Sequence, residues 1–320
     1  MKSEKLNDSL IEAMKEKLPK RVNLVNVLMN TLFIGKEAVY RRLRGEVPFT
    51  FTEASVISNS LGVSLDQVAG TCSKKNALFG LDFIHYENPI DTYYSNIQNA
   101  IQIFRAVKDN STLEWYIASN VIPQIFYMDH DNLSRFLLFK WMYQHEKINQ
   151  VKYFSELQMP DQLQAVQREY VEISKKVPFA NFIWDNMVFH NLINDVRYFS
   201  EVNLLTDEEK EVLQKEIIDM IDNLEELATQ GKHPNGEKVT IYISNINFDA
   251  SYSSLEADNF KCSSFNIYSI NSITTLDLDV FEVQKSWIQS LKKYSTMISV
   301  SGEMQRIQFF ERQRQLVREL

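Results

Sequence analysis

The sequence predicts a mainly α protein in two parts, five short helices over residues 1–75 and a helix-rich α+β domain over residues 76–320. Three observations lead there. Five of the eight glycines fall at positions 35, 45, 62, 70 and 80, none falls between Leu81 and Gln230, and the last three follow that stretch. Glycine is costly inside helices and frequent at their ends, so short elements with tight turns belong to the first part and long helices to the second. Capping signals stand at Thr50, Ser64 and Thr206, each followed three residues later by Glu53, Gln67 and Glu209 respectively. From Lys238 the hydrophobic period changes from helical to two, the mark of strands.

Taken in order, the first helix places Leu6, Leu10, Met14 and Leu18 on one face and ends at Pro19. The second runs from Asn23 to Leu32 over Leu24, Leu28 and Leu32. A break at Phe33-Ile34-Gly35 leads to the third, Lys36 to Arg44, with Val39 and Leu43 inward and Gly45 as its stop. A positive φ is expected at Gly45, since a helix that ends in a left-handed residue favours glycine there. The fourth and fifth helices follow the caps at Thr50 and Ser64, and Gly62 ends the fourth. A three-residue break between the second and third makes this a helix-turn-helix domain. The boundary falls near Thr71–Gly80.

In the second part, a helix is expected over Asp91–Val107 from Tyr94, Ile97, Ile101 and Phe104, then a strand around Leu113–Ile117. Helices are expected near 132–146, 161–176 and 180–202, and another opens at Thr206. Strands follow at Val239–Ser244 and Phe265–Ile270, a helix near 279–294, a short strand at Met297–Val300, and a last helix from Gly302 to about Arg318. No fixed repeat or low-complexity tract interrupts the chain.

Net charge is −8, which taken whole argues against nucleic acid, but its distribution is uneven. Residues 1–75 hold 12 Lys+Arg against 8 Asp+Glu, and the remainder holds 22 against 34. A basic head on an acidic body points to a head that meets phosphate. Cys72 and Cys262 stand far apart, which excludes a disulfide framework and a cysteine metal site and fits a reducing compartment. Neither a signal peptide nor a membrane span is legible, so a soluble, cytoplasmic protein is expected.

The segment Ile34-Gly-Lys-Glu-Ala-Val-Tyr-Arg-Arg-Leu-Arg-Gly-Glu-Val-Pro48 resembles the recognition helix and following loop of Cro and lambda-repressor-type regulators. Its continuation, Ala54…Ile57…Leu61-Gly-Val-Ser-Leu-Asp-Gln-Val68, resembles their fourth and fifth helices, so the likeness covers about residues 5–70. It implies a five-helix lambda-repressor-like domain that binds double-stranded DNA. By that likeness Lys36, Glu37 and Arg41 take base-reading positions, and Arg44 with Arg42 takes phosphate positions. Tyr40 shares the outward face. Two positions depart from the pattern: Met29 stands where the family has a small residue, and Phe33 where it often has glycine. The chemistry stands without the likeness, because a helix fits the major groove and Arg or Lys donates to guanine O6 and N7.

The blander reading of Arg41, Arg42 and Arg44 is a solvated helix face; the glycine stop and flanking helices favour DNA. Asp129-His130-Asp131 reads as a polar loop and cap rather than metal ligands, and His190 as a packed histidine. Ser299, Ser301 and Gly302 read as a cap rather than an anion site. Neither a phosphate loop nor a nucleophile elbow is present, so no catalytic residue, metal or cofactor is assigned. The aromatics Tyr93, Phe104, Trp115, Phe126, Tyr127, Phe136, Phe139, Trp141, Phe182 and Trp184 read first as core and otherwise as an apolar effector pocket. The expected protein is a non-enzymatic, homodimeric DNA-binding transcriptional regulator whose body joins two heads or senses a signal. Three alternatives stand beside it: a peptide-sensing regulator with a helical-repeat body, an enzyme with a DNA-targeting head, and a scaffold that does not bind DNA. The last helix, with Met304, Ile307, Phe310 and Leu316, is a candidate shared surface.

Overall fold

The computed structural model describes residues 2–17, 23–69, 77–145, 151–258 and 260–320. The chain divides into two compact units, Met1–Ala77 and Leu78–Leu320, the head and the body. Leu18, Pro19, Cys72 and most of the expected boundary segment lie outside the described residues.

In the head, α1 (Lys2–Lys17), α2 (Leu24–Leu32), α3 (Lys36–Leu43), α4 (Phe51–Leu61) and α5 (Leu65–Ala69) follow one another. The side chain of Asn23 caps α2 by accepting from the Val25 N–H at 2.9 Å, and Thr50 and Glu53 cap α4 reciprocally. Each satisfies N–H groups that no helical carbonyl reaches. Met14, Leu28, Val39 and Ile57 are fully buried at the centre of a core completed by Leu10, Ile11, Val25 and Val63. Burying a side chain of this size contributes about 1.5–3 kcal/mol. On α1 the inward stripe takes Ile11 and leaves Leu6 exposed, a shift from the expected row.

The body opens with β1 (Gly80–Asp82) and α6 (Pro89–Val107). Next, β2 (Glu114–Ser119) leads through α7 (Gln124–Tyr127), α8 (Asp131–Tyr143) and α9 (Asp161–Ser174) to β3 (Phe179–Trp184). From there α10 (His190–Glu201) and α11 (Asp207–Gln230) lead to β4 (Lys238–Ser244). An antiparallel run of β5 (Tyr252–Ala257), β6 (Phe260–Ile267) and β7 (Asn271–Thr275) follows, then α12 (Leu278–Lys293), β8 (Ser295–Met297) and α13 (Glu303–Arg318).

The described strands form one eight-stranded mixed sheet in the order β1-β7-β6-β5-β2-β3-β4-β8. At its centre β2, β3 and β4 are parallel, and the other pairings are antiparallel. Parallel neighbours need long crossovers, which the helices between them supply. On one face Ile117, Phe182 and Ile241 stand in register and join a large core with α6, α8, α9, α11 and α13. On the other face Ala118 and Ile183 pack with Ile288 and Leu291 of α12.

The fold is therefore α/β, and the mainly α class with a helix-rich α+β body is corrected by the sheet. The start of the helix expected near 180–202 is instead the central strand β3, Phe179–Trp184, and the helix begins at His190. A parallel strand covered on both faces is a continuous apolar run without alternation, which periodicity does not separate from a buried helix. β1, β5 and β7 are further strands that the sequence pattern did not mark. The expected strand at Met297–Val300 pairs two residues earlier, at Ser295–Met297. Among the aromatics, Phe136, Phe139, Phe182 and Trp184 are buried in the main core. Phe310 and Val317 of α13 are buried in the body's own core, while Met304 and Ile307 stay exposed. Asp129 pairs with Lys175 at 3.1 Å, and Asp131, the first residue of α8, pairs with Arg168 at 3.0 Å. Among the described residues no helix is long and apolar enough to cross a membrane.

Candidate nucleic-acid interface

The candidate interface is α3 with the turn before it and the loop after it. The turn is made by Phe33, whose φ of 54° and ψ of 38° lie in the left-handed region. That conformation explains why glycine suits this position, and its cost for a residue with a Cβ is about 1–2 kcal/mol. Phe33 does not enter the core: it is 91% exposed, and Met29 sits half-buried at the core margin. The turn thus accommodates the larger residue by sending it outward.

At its far end, α3 closes in a Schellman arrangement. The Gly45 N–H donates to Arg42 O at 3.0 Å and the Glu46 N–H to Arg41 O at 3.0 Å. Gly45 takes a φ of 76°, the positive value expected from the sequence. These bonds satisfy carbonyls that a helix end leaves open.

The outward side chains are Lys36, Glu37, Tyr40, Arg41 and Arg44, all exposed. The Lys36 ammonium lies 6.0 Å from the centre of the Tyr40 ring. Arg44 Nε donates to Glu46 Oε1 at 2.7 Å, and Arg44 Nη2 to Glu37 Oε1 at 3.3 Å. Arg41 Nε lies 3.5 Å from Glu46 Oε2. The Arg44 hydrogen bond holds the Glu46 carboxyl below its usual range, and the same bond raises Arg44. Exposed pairs of this kind are weak and are screened by salt, so a phosphate can displace either carboxylate.

Arg42 differs from its neighbours. Its Nε and Nη2 donate to both oxygens of Glu53, at 3.0 and 2.7 Å, and only 16% of either side chain is exposed. A third donor, Nη1, reaches Ala38 O at 3.2 Å. Glu53 also accepts from the Thr50 N–H at 2.9 Å, so one carboxylate caps α4 and ties α4 to α3. Burial alone would raise the Glu53 carboxyl, but Arg42 and Thr50 together hold it below its usual range.

A second brace comes from Asn7 of α1, which is 7% exposed. Its Nδ2 donates to Arg42 O at 3.3 Å, and its Oδ1 accepts from the Phe49 N–H at 3.0 Å. Sequence reasoning did not single it out. The signal was available: Asn7 lies three and four residues before Leu10 and Ile11, a polar residue inside a buried stripe.

No protein-family model, curated protein or solved structure matches the chain. The likeness of residues 5–70 to Cro and lambda-repressor-type regulators is therefore carried by those residues alone. What the geometry defines is a short, exposed, cationic helix on a braced frame, attached in sequence to an acidic α/β body.

Proposed function

We propose that the chain is a sequence-specific DNA-binding transcriptional regulator that lays α3 in the major groove. The observation that carries this reading is the division of labour on α3. Lys36, Arg41 and Arg44 are exposed on one short helix, while Arg42 and Val39 hold that helix to the head. A helix fits the groove, and Arg or Lys on its outward face reaches base edges. Lys36, Glu37 and Arg41 read bases, Tyr40 flanks them, and Arg44 holds a phosphate once Glu46 releases it. Arg42 positions α3 and α4 instead of touching DNA.

The regulator is cytoplasmic, non-enzymatic and homodimeric in this reading. One head contacts too little DNA for strong specificity, and two recognition helices about 34 Å apart read two half-sites. The body supplies the link, since joining two binding modules raises affinity by about 10²–10⁴ without new DNA contacts.

Selection of bound duplexes from a random pool with the full chain tests the proposal. A two-half-site motif is expected. Arg41→Ala then costs about 1–3 kcal/mol on that motif and relaxes one base pair, while Arg44→Ala weakens all sequences and lowers the salt slope by about one phosphate. Absence of an enriched motif, with both variants binding as the parent does, removes the reading.

A further inference from the structure

On the α6 side of the sheet, the strands from β2 to β1 do not continue the apolar surface of the centre. Ile117 stands opposite Ser253, which pairs with Ser264, which pairs with Thr274. One step along, Asn266 pairs with Ser272 and Ser272 with Asp82. A cavity of about 170 Å³ lies between these residues and α6. For scale, an engineered apolar cavity of roughly 150 Å³ binds benzene.

The cavity is graded. At one end, on the edge strand β1, Asp82 supplies a half-buried carboxylate. At the other, Phe104, Trp115 and Leu255 form an apolar wall. From β1 to β2 there are four inter-strand steps, about 19 Å at about 4.8 Å each, so the lining reaches from Asp82 to Trp115 across the whole width of this part of the sheet.

Asp82 is the one acidic side chain among the described lining residues, and none of those is Lys, Arg or His. Its partners are hydroxyls at long range, Ser272 Oγ at 3.4 Å and Thr274 Oγ1 at 3.3 Å. Burial raises its carboxyl above the usual range, and the two hydroxyls offset this only in part. Its field also adds to the burial that pushes the Cys262 thiol up to about 11. A buried charge is ordinarily paired, and a carboxylate facing a cavity without a cation calls for one from outside the chain.

We propose that this cavity binds a small amphipathic primary amine, with its ammonium on Asp82 and its apolar tail running across β7, β6 and β5 toward Trp115. Three donors on an ammonium match the Asp82 carboxylate and the hydroxyls of Ser272 and Thr274, and a linear tail reaches from there toward the apolar residues on β5 and β2. The site lies wholly in the body and goes beyond the DNA reading, on which it does not depend. Ligand held at Asp82 also fastens β1, which among the described strands pairs with β7 at the sheet edge.

The test is calorimetric titration of the full chain with n-butylamine, n-hexylamine and n-octylamine, with 1-octanol and octanoate as the neutral and anionic counterparts of the longest. Affinity is expected to rise with chain length, by up to about fourfold per methylene. n-Octylamine is expected to bind at least tenfold more tightly than 1-octanol, and octanoate more weakly than either. Asp82→Asn should erase the preference for amine over alcohol while leaving 1-octanol affinity unchanged, which also reports an intact fold. Slower hydrogen exchange at Leu81–Ile84 on adding n-octylamine localises the effect to β1. Equal binding of the three eight-carbon ligands overturns the proposal, as does a preference for octanoate. So does an amine preference that survives Asp82→Asn, or no binding by any amine.

Discussion

Replacing Arg42 by Met removes the charge but keeps most of the side chain's length, so it tests the brace that Arg42 makes with Glu53 and Ala38. Three hydrogen bonds from the guanidinium are lost, two to Glu53 at 3.0 and 2.7 Å and one to Ala38 O at 3.2 Å, from a site where the Arg42 and Glu53 side chains are only 16% exposed. Bonds to charged groups contribute about 1.5–3 kcal/mol each when their partner cannot rehydrate. Glu53 retains the Thr50 N–H at 2.9 Å and some access to water, which brings the expected loss to about 2 kcal/mol. Arg41→Ala is the contrast. Among the described residues its ion-pair partner is Glu46, at 3.5 Å with the side chains 54% and 48% exposed, and a pair in that position is weak and screened by salt. Because the chain has two units, a single unfolding midpoint does not isolate the head, and the suitable measurement is native-state hydrogen exchange over α3 and α4 in the full chain. Arg42→Met should lower the opening free energy there, and Arg41→Ala should leave it within about 0.5 kcal/mol of the parent. Glu53 has its carboxyl lowered from 4.5 in the fold, so its contribution is present above that value and fades as pH falls through the folded value. The Arg42→Met penalty should shrink accordingly as pH falls below 4.5. Equal protection in the two variants would show that Arg42 does not brace the head, and the assignment of Arg41 and Arg42 to different roles would fall with it.

Three further outcomes follow from the same geometry. Gly45→Val places a β-branched residue at a φ of 76° with open space around its Cβ, so the loss is backbone strain of about 1–2 kcal/mol or more, read as lost exchange protection in α3; unchanged protection refutes it. Gly302→Ala is more severe, since at a φ of 68° its Cβ would lie 2.3 Å from the Met297 carbonyl oxygen; urea denaturation of the body should show a loss above about 2 kcal/mol, and an unchanged midpoint rejects the close approach. His233, 8% exposed, has its pKa lowered to about 4, by burial first and then by Lys175. The unfolded chain takes up this proton near pH 6.5 and the folded one does not until about 4, so body stability should fall by about 3 kcal/mol across that window, partly offset by Asp82 and Asp195, whose carboxyls burial raises. If His233→Gln leaves the slope of stability against pH unchanged, the burial of an uncharged imidazole is not its source.

How much of this was legible in the sequence depended on whether the deciding physics is local. Thr50 with Glu53 and Thr206 with Glu209 form capping boxes as expected, because a cap needs only two side chains three residues apart. Gly45 was legible for the same reason. Arg42 was read with its neighbours because one helix does not say which of three arginines faces α4; the partner Glu53 is eleven residues away across a loop. In the body, β4 announced itself by alternation and β3 did not, since Ala180 and Phe182 face one layer of helices while Ile183 packs with α12 on the other.

The missed strands at the β1 side have a different cause, and it bears on function. Alternation identifies a strand only when one face is apolar, yet Ser253, Ser264, Thr274, Ser272 and Asp82 carry hydroxyls and a carboxylate on the inward face. A sheet that merely had to pack against α6 would gain stability from Val or Ile at those positions, about 1.5–3 kcal/mol for each one fully buried. Polar residues on an inward face are costly unless they meet partners, and among the described residues Asp82 meets two distant hydroxyls. The positions at which the folding rules are broken together are also those that line a cavity, as expected of a surface shaped for a ligand. The silence of the pattern at β1, β5 and β7 and the unpaired carboxylate of Asp82 thus have one explanation, and titration with amines decides whether it is correct.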